Sequence, residues 1–151
     1  MASSTCEVGR DPLRSASFDA TPFAGDQSKR ARMTSILGVP LMDRDHAALE
    51  RMFEDAARTA DEGLPEFFEA IARELADHFA REEAAMTEAR VPGLLPHLEL
   101  HAQLLREVEK MREAIASGDA AAREILEAIL PQLIEHHVAT ADTVSASSFR
   151  G

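Results

Sequence analysis

The sequence has few of the features that membrane proteins, disulfide-stabilised proteins and nucleic-acid-binding proteins require. It has no tryptophan, no tyrosine and a single cysteine, Cys6, which cannot form an internal disulfide. No stretch approaches the roughly 18–20 consecutive apolar residues of a transmembrane helix, and the first ten residues show no apolar core of a secretory signal. The formal net charge of −11 disfavours the phosphate backbone of a nucleic acid as a partner. We therefore expect an acidic, soluble, cytoplasmic protein without a membrane or nucleic-acid partner.

Helix-forming residues make up most of the sequence. Glycine is scarce, with 7 among 151 residues, and long stretches rich in alanine, leucine, glutamate and arginine dominate. Valine and threonine, which favour strands, are sparse. A chain of this length forms one domain with a sizeable core. The composition therefore predicts a single all-α domain.

The two ends of the chain differ from its middle. Residues 1–35 are rich in Ser, Ala, Arg and Asp, contain Pro12 and Pro22, and show no sustained periodicity. We predict that they form a flexible, disordered N-terminal tail, although a partner-binding arm that uses Phe18 and Phe23 is an alternative. Residues 36–145 carry helical patterns, and residues 146–151 are predicted to be a short disordered C-terminal tail.

Four helical patterns follow one another between residues 41 and 145, each separated from the next by a short turn. Short turns make neighbouring helices antiparallel, so the patterns predict an up-down-up-down four-helix bundle. The predicted helices begin near Asp43, Pro65, Pro96 and Asp119, and the first three end before Gly63, Pro92 and Gly118.

Pro131 interrupts the fourth helical pattern. It lacks the amide that would bond to the carbonyl of Glu127, and in a straight helix this costs about 3 kcal/mol. The apolar phase continues from Leu133 to His137. We therefore predict a kink at this proline rather than the end of the helix.

Histidines and a glutamate recur on the core-facing sides of the predicted helices. His97 and His101 are four residues apart, which places them about 40° apart on one helix face. Two imidazoles at that spacing can bind one metal ion together. His78 and Glu82 repeat the spacing on the second helix. The pattern predicts metal ligands from two successive helices.

His46 in the first helix and His137 in the fourth extend this pattern. One histidine on an apolar stripe is usually a satisfied core residue, so neither would be informative alone. Glu82 is different, because a buried ionised carboxylate costs several kcal/mol unless it is paired or bound to a metal. In an antiparallel bundle all these positions fall at the same end, which favours a metal site.

The types of ligand indicate which metal is expected. Imidazole and carboxylate without thiolate suit iron, with manganese and zinc as competitors. Five histidines with one or two carboxylates are too many ligands for one ion, so we expect two ions bridged by carboxylates. Asp142 lies five residues after His137, about 140° away on an ideal helix. Spacing alone would not nominate it, but a widened turn near the helix end could bring it inward.

Four segments of the chain resemble the hemerythrins, specifically their bacterial single-domain members. The segments are GVPLMDRDH at 38–46, HFAREE at 78–83, HLELH at 97–101 and HVATAD at 137–142, and the resemblance covers about residues 36–142. Related cation-binding domains end the last motif with a glutamate four residues after the histidine. Here an aspartate, Asp142, stands five residues after it, as in hemerythrins that bind oxygen.

The resemblance implies a set of ligands and a function. One iron would be held by His97, His101 and His137, and the other by His46 and His78, with a position left open for dioxygen. Glu82 and Asp142 would bridge the two irons together with an oxo or hydroxo group. The implied pocket walls are Leu49, Phe79, Ile134 and Val138. The implied function is that of a non-haem di-iron protein that reversibly binds dioxygen for storage, delivery or sensing.

Two other functions stay open at this stage. The same centre could belong to an enzyme that acts on peroxide or nitric oxide, or the chain could be a metal-binding interaction module with an unidentified protein or redox partner. No general acid or base other than the ligands is visible near the site, which favours binding over catalysis. The chain departs from the family at Leu133, where a tryptophan often stands, and His136 has no place in the ligand set.

Overall fold

A computed structural model describes residues 36–118 and 120–149 of the chain. The described part is helical and contains no β-strand, which confirms the predicted all-α four-helix bundle. The predicted N-terminal tail, residues 1–35, lies outside the described residues, and so does Asp119. No helix in the described part is long and apolar enough to cross a membrane.

Four long helices form the bundle. Helix α1 spans Pro40–Ala56, α2 spans Leu64–Glu88 and α3 spans Leu94–Ser117. Helix α4 is a continuous run over residues 122–148. A single 3-10 turn, Asp61–Gly63, joins α1 to α2. Helix α2 packs against both α1 and α3, and α4 packs against α1, as expected when short connections join antiparallel neighbours.

Helix α1 begins three residues before the predicted start at Asp43. Pro40 takes the first helical position, where its fixed φ and missing amide are tolerated. The Asp43 carboxylate instead accepts hydrogen bonds from the backbone amides of Leu37, at 2.7 Å, and Gly38, at 3.0 Å. Asp43 therefore ties the preceding segment to the first turn of the helix, and its charge favours the helix N-terminus.

Helix α4 contains a π turn directly before Pro131. The turn spans Ile125–Ile129, and the amide of Leu130 donates to the carbonyl of Ile125, five residues back. The wider turn keeps the proline ring clear of the carbonyl that it would meet in an α-helix. The irregularity predicted at Pro131 thus takes the form of a π turn, within a helix that continues beyond it.

The last part of α4 corrects the predicted C-terminal tail. The helix continues through a second π turn, Val138–Asp142, and a final α-helical segment, Thr143–Ser148. Ala146 is buried and Phe149 packs against the core. The prediction that residues 146–151 form a disordered tail is therefore wrong for residues 146–148, because apolar side chains anchor this segment.

The apolar core lies between the helices and extends to the end where α1 and α3 begin. Helix α3 contributes least, since Val108 is its one fully buried apolar side chain, while Leu104 and Met111 are half-buried. The other three helices supply the largest fully buried apolar side chains, which are Met42, Leu49, Leu64, Phe68, Ile71, Leu75, Phe79, Met86, Leu126 and Leu130.

Candidate metal centre

Each of the four helices places at least one predicted ligand at the same end of the bundle. The ligands come from the beginnings of α1 and α3 and from the later parts of α2 and α4. All seven side chains are buried, with at most 6% of their surface exposed. They are His46, His78, Glu82, His97, His101, His137 and Asp142.

The second π turn of α4 explains how Asp142 reaches this cluster. An added residue in the turn moves Asp142 back toward the face that carries His137. Its Oδ1 lies 2.9 Å from Nε2 of His137 and 3.4 Å from Nε2 of His97. Its Oδ2 lies 3.2 Å from Nε2 of His46. The widened turn considered from the sequence is present, and Asp142 faces histidines of three helices.

The side chains fall into two groups that could each hold a metal ion. Within each group, one ligand atom per residue lies within 4.8 Å of all the others. Asp142 belongs to both groups. Glu82 Oε2 also faces both, at 3.6 Å from Nε2 of His78 and 3.6 Å from Nε2 of His101. One group contains Glu82, His97, His101, His137 and Asp142, and the other contains His46, His78 and Asp142.

Three imidazole nitrogens of the first group converge on one another. Nε2 of His101 lies 3.0 Å from Nε2 of His97 and 3.0 Å from Nε2 of His137. For metal–nitrogen bonds of about 2.1 Å, nitrogens at right angles are about 3.0 Å apart, whereas those of a tetrahedron are about 3.4 Å apart. The observed spacing therefore fits an ion with right-angled ligands.

The cluster also contains buried polar atoms that no hydrogen bond satisfies. In the described part of the chain, both carboxylate oxygens of Glu82 and of Asp142, both ring nitrogens of His46 and Nδ1 of His78 have no hydrogen-bond partner. Each unsatisfied buried group costs about 1–3 kcal/mol. A bound cation would satisfy the inward-facing atoms at once, so these residues fit a metal centre.

A comparison with protein families agrees with this geometry. The family model described as the Hemerythrin HHE cation binding domain matches residues 37–144. The chain belongs to the hemerythrin family. No curated protein and no solved structure matches it. The matched region includes all seven clustered side chains, and together they identify this end of the hemerythrin bundle as a metal-binding site.

Burial and neighbouring charges control protonation in the metal-free hemerythrin site. Burial, followed by the charge of His46, lowers the pKa of His78 to about 4. Burial, followed by the charge of His137, lowers the pKa of His101 to about 3. Both rings are therefore neutral near pH 7, which is the form that binds metal.

The two carboxylates of the site are shifted in opposite directions. Burial, followed by the negative charge of Asp142, raises the pKa of Glu82 well above its usual range. Burial also raises the pKa of Asp142, but the nearby imidazoles of His137 and His46 outweigh it and bring that pKa below its usual range. The metal-free site thus holds a proton on Glu82 and a negative charge on Asp142.

The stability of the metal-free chain is expected to peak near pH 6.5. Below this value, which is the ordinary pKa of histidine, the unfolded chain gains protons that folded His78 and His101 do not accept, so stability falls toward pH 4. Above pH 6.5 the folded chain still holds the proton on Glu82 that the unfolded chain has lost, so stability falls as the pH rises. Thermal unfolding in the presence of a chelator, measured across this pH range, tests both limbs. A midpoint that kept rising down to pH 4 would contradict the acid limb.

The four predicted pocket residues are buried around the ligands. Leu49 lies less than one turn after His46, and Ile134 and Val138 flank His137 along α4. Phe79 stacks on the ring of His101, with centroids 3.9 Å apart and planes 10° apart, and its centroid is 5.5 Å from that of His78. Phe79 therefore contacts histidines of both groups.

Two carboxylates beside the site were missed by the sequence reasoning. Asp45 Oδ2 lies 3.5 Å from Nδ1 of His78, and Glu83 Oε1 lies 2.9 Å from Nδ1 of His101. Both contact the outer ring nitrogens, away from the converging Nε2 atoms. The signal in the sequence was that each stands directly beside a predicted ligand, in DRDH and REE. Each lies one residue away from the ligand face of its helix, so helical spacing gave no reason to expect a contact with a ligand.

Proposed function

We propose that this hemerythrin domain holds two iron ions and binds dioxygen reversibly. The unequal distribution of ligands supports the proposal most strongly. One group offers three imidazoles and the other two, while Glu82 and Asp142 face both groups. Two ions that share these carboxylates and a solvent-derived oxo or hydroxo bridge would therefore differ by one ligand. The group with His46 and His78 would leave a position for dioxygen.

The site chemistry favours iron over zinc. The ligands are imidazoles and carboxylates without thiolate, and the 3.0 Å nitrogen spacings around His101 fit right-angled ligands. Structural zinc sites are almost always tetrahedral, whereas six-coordinate ions such as iron and manganese accept right angles. Two ferrous ions, when bound, would supply the electrons with which dioxygen is held reversibly.

The surrounding side chains suit reversible binding better than turnover. Leu49, Phe79, Ile134 and Val138 are each at most 2% exposed, so they exclude water from the ligand end of the core. Water and protons would promote loss of reduced oxygen species and leave an inactive site. The two additional carboxylates, Asp45 and Glu83, both face outer ring nitrogens, away from the converging Nε2 atoms, so neither offers a proton to a bound ligand.

The expected result for iron-loaded protein tests this proposal. Reduced protein under argon should be colourless, contain two irons per chain, turn violet-pink in air and lose the colour again when argon is restored. Metal analysis combined with the optical spectrum with and without oxygen measures all of these properties. Direct conversion to a yellow diferric form with release of peroxide would exclude a carrier. One zinc per chain would exclude the di-iron centre.

An enzyme that acts on peroxide or nitric oxide is the second candidate. A groove of about 490 Å³ between α3 and α4 reaches the edge of the site, and Leu100, Leu133, His136 and His137 are among its lining residues. Leu133 is the position where the family often has tryptophan, so a smaller side chain widens this groove. Catalytic consumption of peroxide or nitric oxide by the iron-loaded protein would favour this candidate.

The cytoplasmic location and a redox or protein partner stay predictions from the sequence.

A further inference from the structure

A buried carboxylate lies behind the ligand group that has only two histidines. Asp45 is 3% exposed, and its Oδ2 faces Nδ1 of His78 at 3.5 Å. Nδ1 has no hydrogen-bond partner in the described part of the chain, and it points away from the cluster that Nε2 joins. Asp45 is therefore the group placed to fix the orientation of this imidazole.

Two arginines hold the Asp45 carboxylate from different sides. Nε of Arg81 donates to Oδ2 at 2.7 Å, and Nε of Arg44 donates to Oδ1 at 3.0 Å. These two cations favour the ionised form of the carboxylate. The carboxylate is thus ionised, and it cannot rotate away from His78 without breaking a charge-assisted hydrogen bond.

Arg81 is itself anchored. Its Nη2 donates to Oε1 of Glu74 at 2.7 Å, and Glu74 lies seven residues, or about two turns, earlier on the same helix. Arg81 and Glu74 are each about one-third exposed, so the chain Glu74–Arg81–Asp45–His78 runs from the surface to the buried site.

An ionised carboxylate at this position selects one form of the histidine. A carboxylate without a proton only accepts hydrogen bonds. It therefore favours the neutral ring with its proton on Nδ1, which leaves the lone pair of Nε2 directed at the cluster. Glu83 stands in the same relation to His101, but it is 37% exposed and, among the described residues, no arginine or lysine pairs with it. The group with fewer ligands thus has the more firmly held carboxylate.

We propose that Asp45, held by Arg81 and Arg44, is a positioning residue that sets the affinity of the His46–His78 group for its metal ion. The proposal rests on the proposed two-ion centre, since it concerns one ion and not the other. Asp45 compensates for the smaller number of ligands by fixing the tautomer and orientation of His78. Arg81 acts through Asp45 and contacts no ligand itself.

Titration of the full metal-free chain with Co²⁺ tests the proposal. Wild type should bind two ions. Asp45→Ala should weaken one of them by about 10- to 100-fold and leave the other unchanged, which is the usual effect of losing such a partner. Arg81→Gln keeps Asp45 but removes one of its two hydrogen-bond donors, so it should weaken the same ion by a smaller factor. Arg112→Gln is the matched control, because Arg112 is equally exposed and pairs with Glu69 at 2.7 Å away from the site; it should change neither affinity.

A proton NMR spectrum of the Co²⁺-loaded protein separates positioning from a general structural effect. The exchangeable Nδ1 proton of His78 should shift or exchange faster in both variants, while the corresponding protons of the other histidine ligands stay in place. Equal shifts of the Nδ1 protons of all five histidine ligands would overturn the proposal. Unchanged affinity for both ions in Arg81→Gln would also overturn it, and this variant tests the proposal even if Asp45→Ala does not fold. Wild type that binds one Co²⁺ would instead refute the two-ion centre.

Discussion

Replacement of His101 by alanine is expected to leave the chain unable to hold two iron ions. His101 is fully buried, and its Nε2 lies between those of His97 and His137, 3.0 Å from each. The His101 ring is also fixed by stacking on Phe79 and by Glu83 at its Nδ1. Loss of this ring leaves two imidazoles in the first group and a cavity where the third stood.

Iron analysis after anaerobic reconstitution measures the effect, and the expected content falls from two irons per chain to at most one. His136→Ala is the control, since His136 is exposed, directly precedes a predicted ligand and is absent from both ligand groups. That variant should retain two irons. Two irons per chain in His101→Ala would refute the assignment of the three-histidine group.

Helical periodicity is the reason that most of the site could be predicted. His97 and His101, or His78 and Glu82, share a face whenever the segment is an α-helix, whatever surrounds it. Antiparallel packing then brings the ligand positions of the four helices to the same end of the bundle. The relative position of the two residues in each pair depends on secondary structure alone, so it can be derived from spacing.

Asp142 could not be placed in the same way. Its inward position depends on the π turn Val138–Asp142, and the helical segment after that turn is too short for its apolar residues to reveal the shift of one residue. The turn before Pro131 had a visible cause, since proline cannot join an α-helical ladder. For Asp142 only the resemblance to the family's spacing indicated a role, and the structure supplies the physical reason for it.

The carboxylates that contact the site histidines from outside could not be predicted from the sequence either. Asp45 and Glu83 lie one residue away from the ligand face, where solvated charges are the usual expectation. Their contacts arise because the outer nitrogen of each histidine points away from the centre and meets a carboxylate on an adjacent helix. The orientation of a side chain, which spacing does not give, decides these contacts.

The site also opposes the stability of the metal-free fold. Seven buried side chains with ionisable groups occupy the space that a core would normally fill with apolar side chains. Metal binding reverses this effect, because an ion that binds only the folded chain stabilises it by mass action. A substitution that favours the metal-free fold should therefore harm the metal-bound one, and Glu82 is the best place to separate the two effects.

Replacement of Glu82 by leucine is expected to stabilise the metal-free chain and to abolish two-ion binding. Glu82 is 1% exposed, and neither of its oxygens has a hydrogen-bond partner among the described residues. Leucine has a similar volume and removes that unsatisfied carboxyl group. A buried polar group without a hydrogen-bond partner costs about 1–3 kcal/mol, so its removal should stabilise the metal-free chain by that order. In a domain of this size each kcal/mol raises the midpoint of thermal unfolding by roughly 4 °C.

Thermal unfolding with a chelator and with added Fe²⁺ under argon measures both effects on the same protein. With chelator, Glu82→Leu should unfold at a higher temperature than wild type; with Fe²⁺ the order should reverse, because wild type alone gains the stabilisation of two bound ions. Glu113→Leu is the matched control, since Glu113 is exposed on α3 and its replacement should change stability by no more than about 0.5 kcal/mol in either condition. A metal-free Glu82→Leu chain less stable than wild type would show that Glu82 stabilises the fold without metal. In that case its burial would serve packing, and the case for a bridging ligand would lose its physical basis.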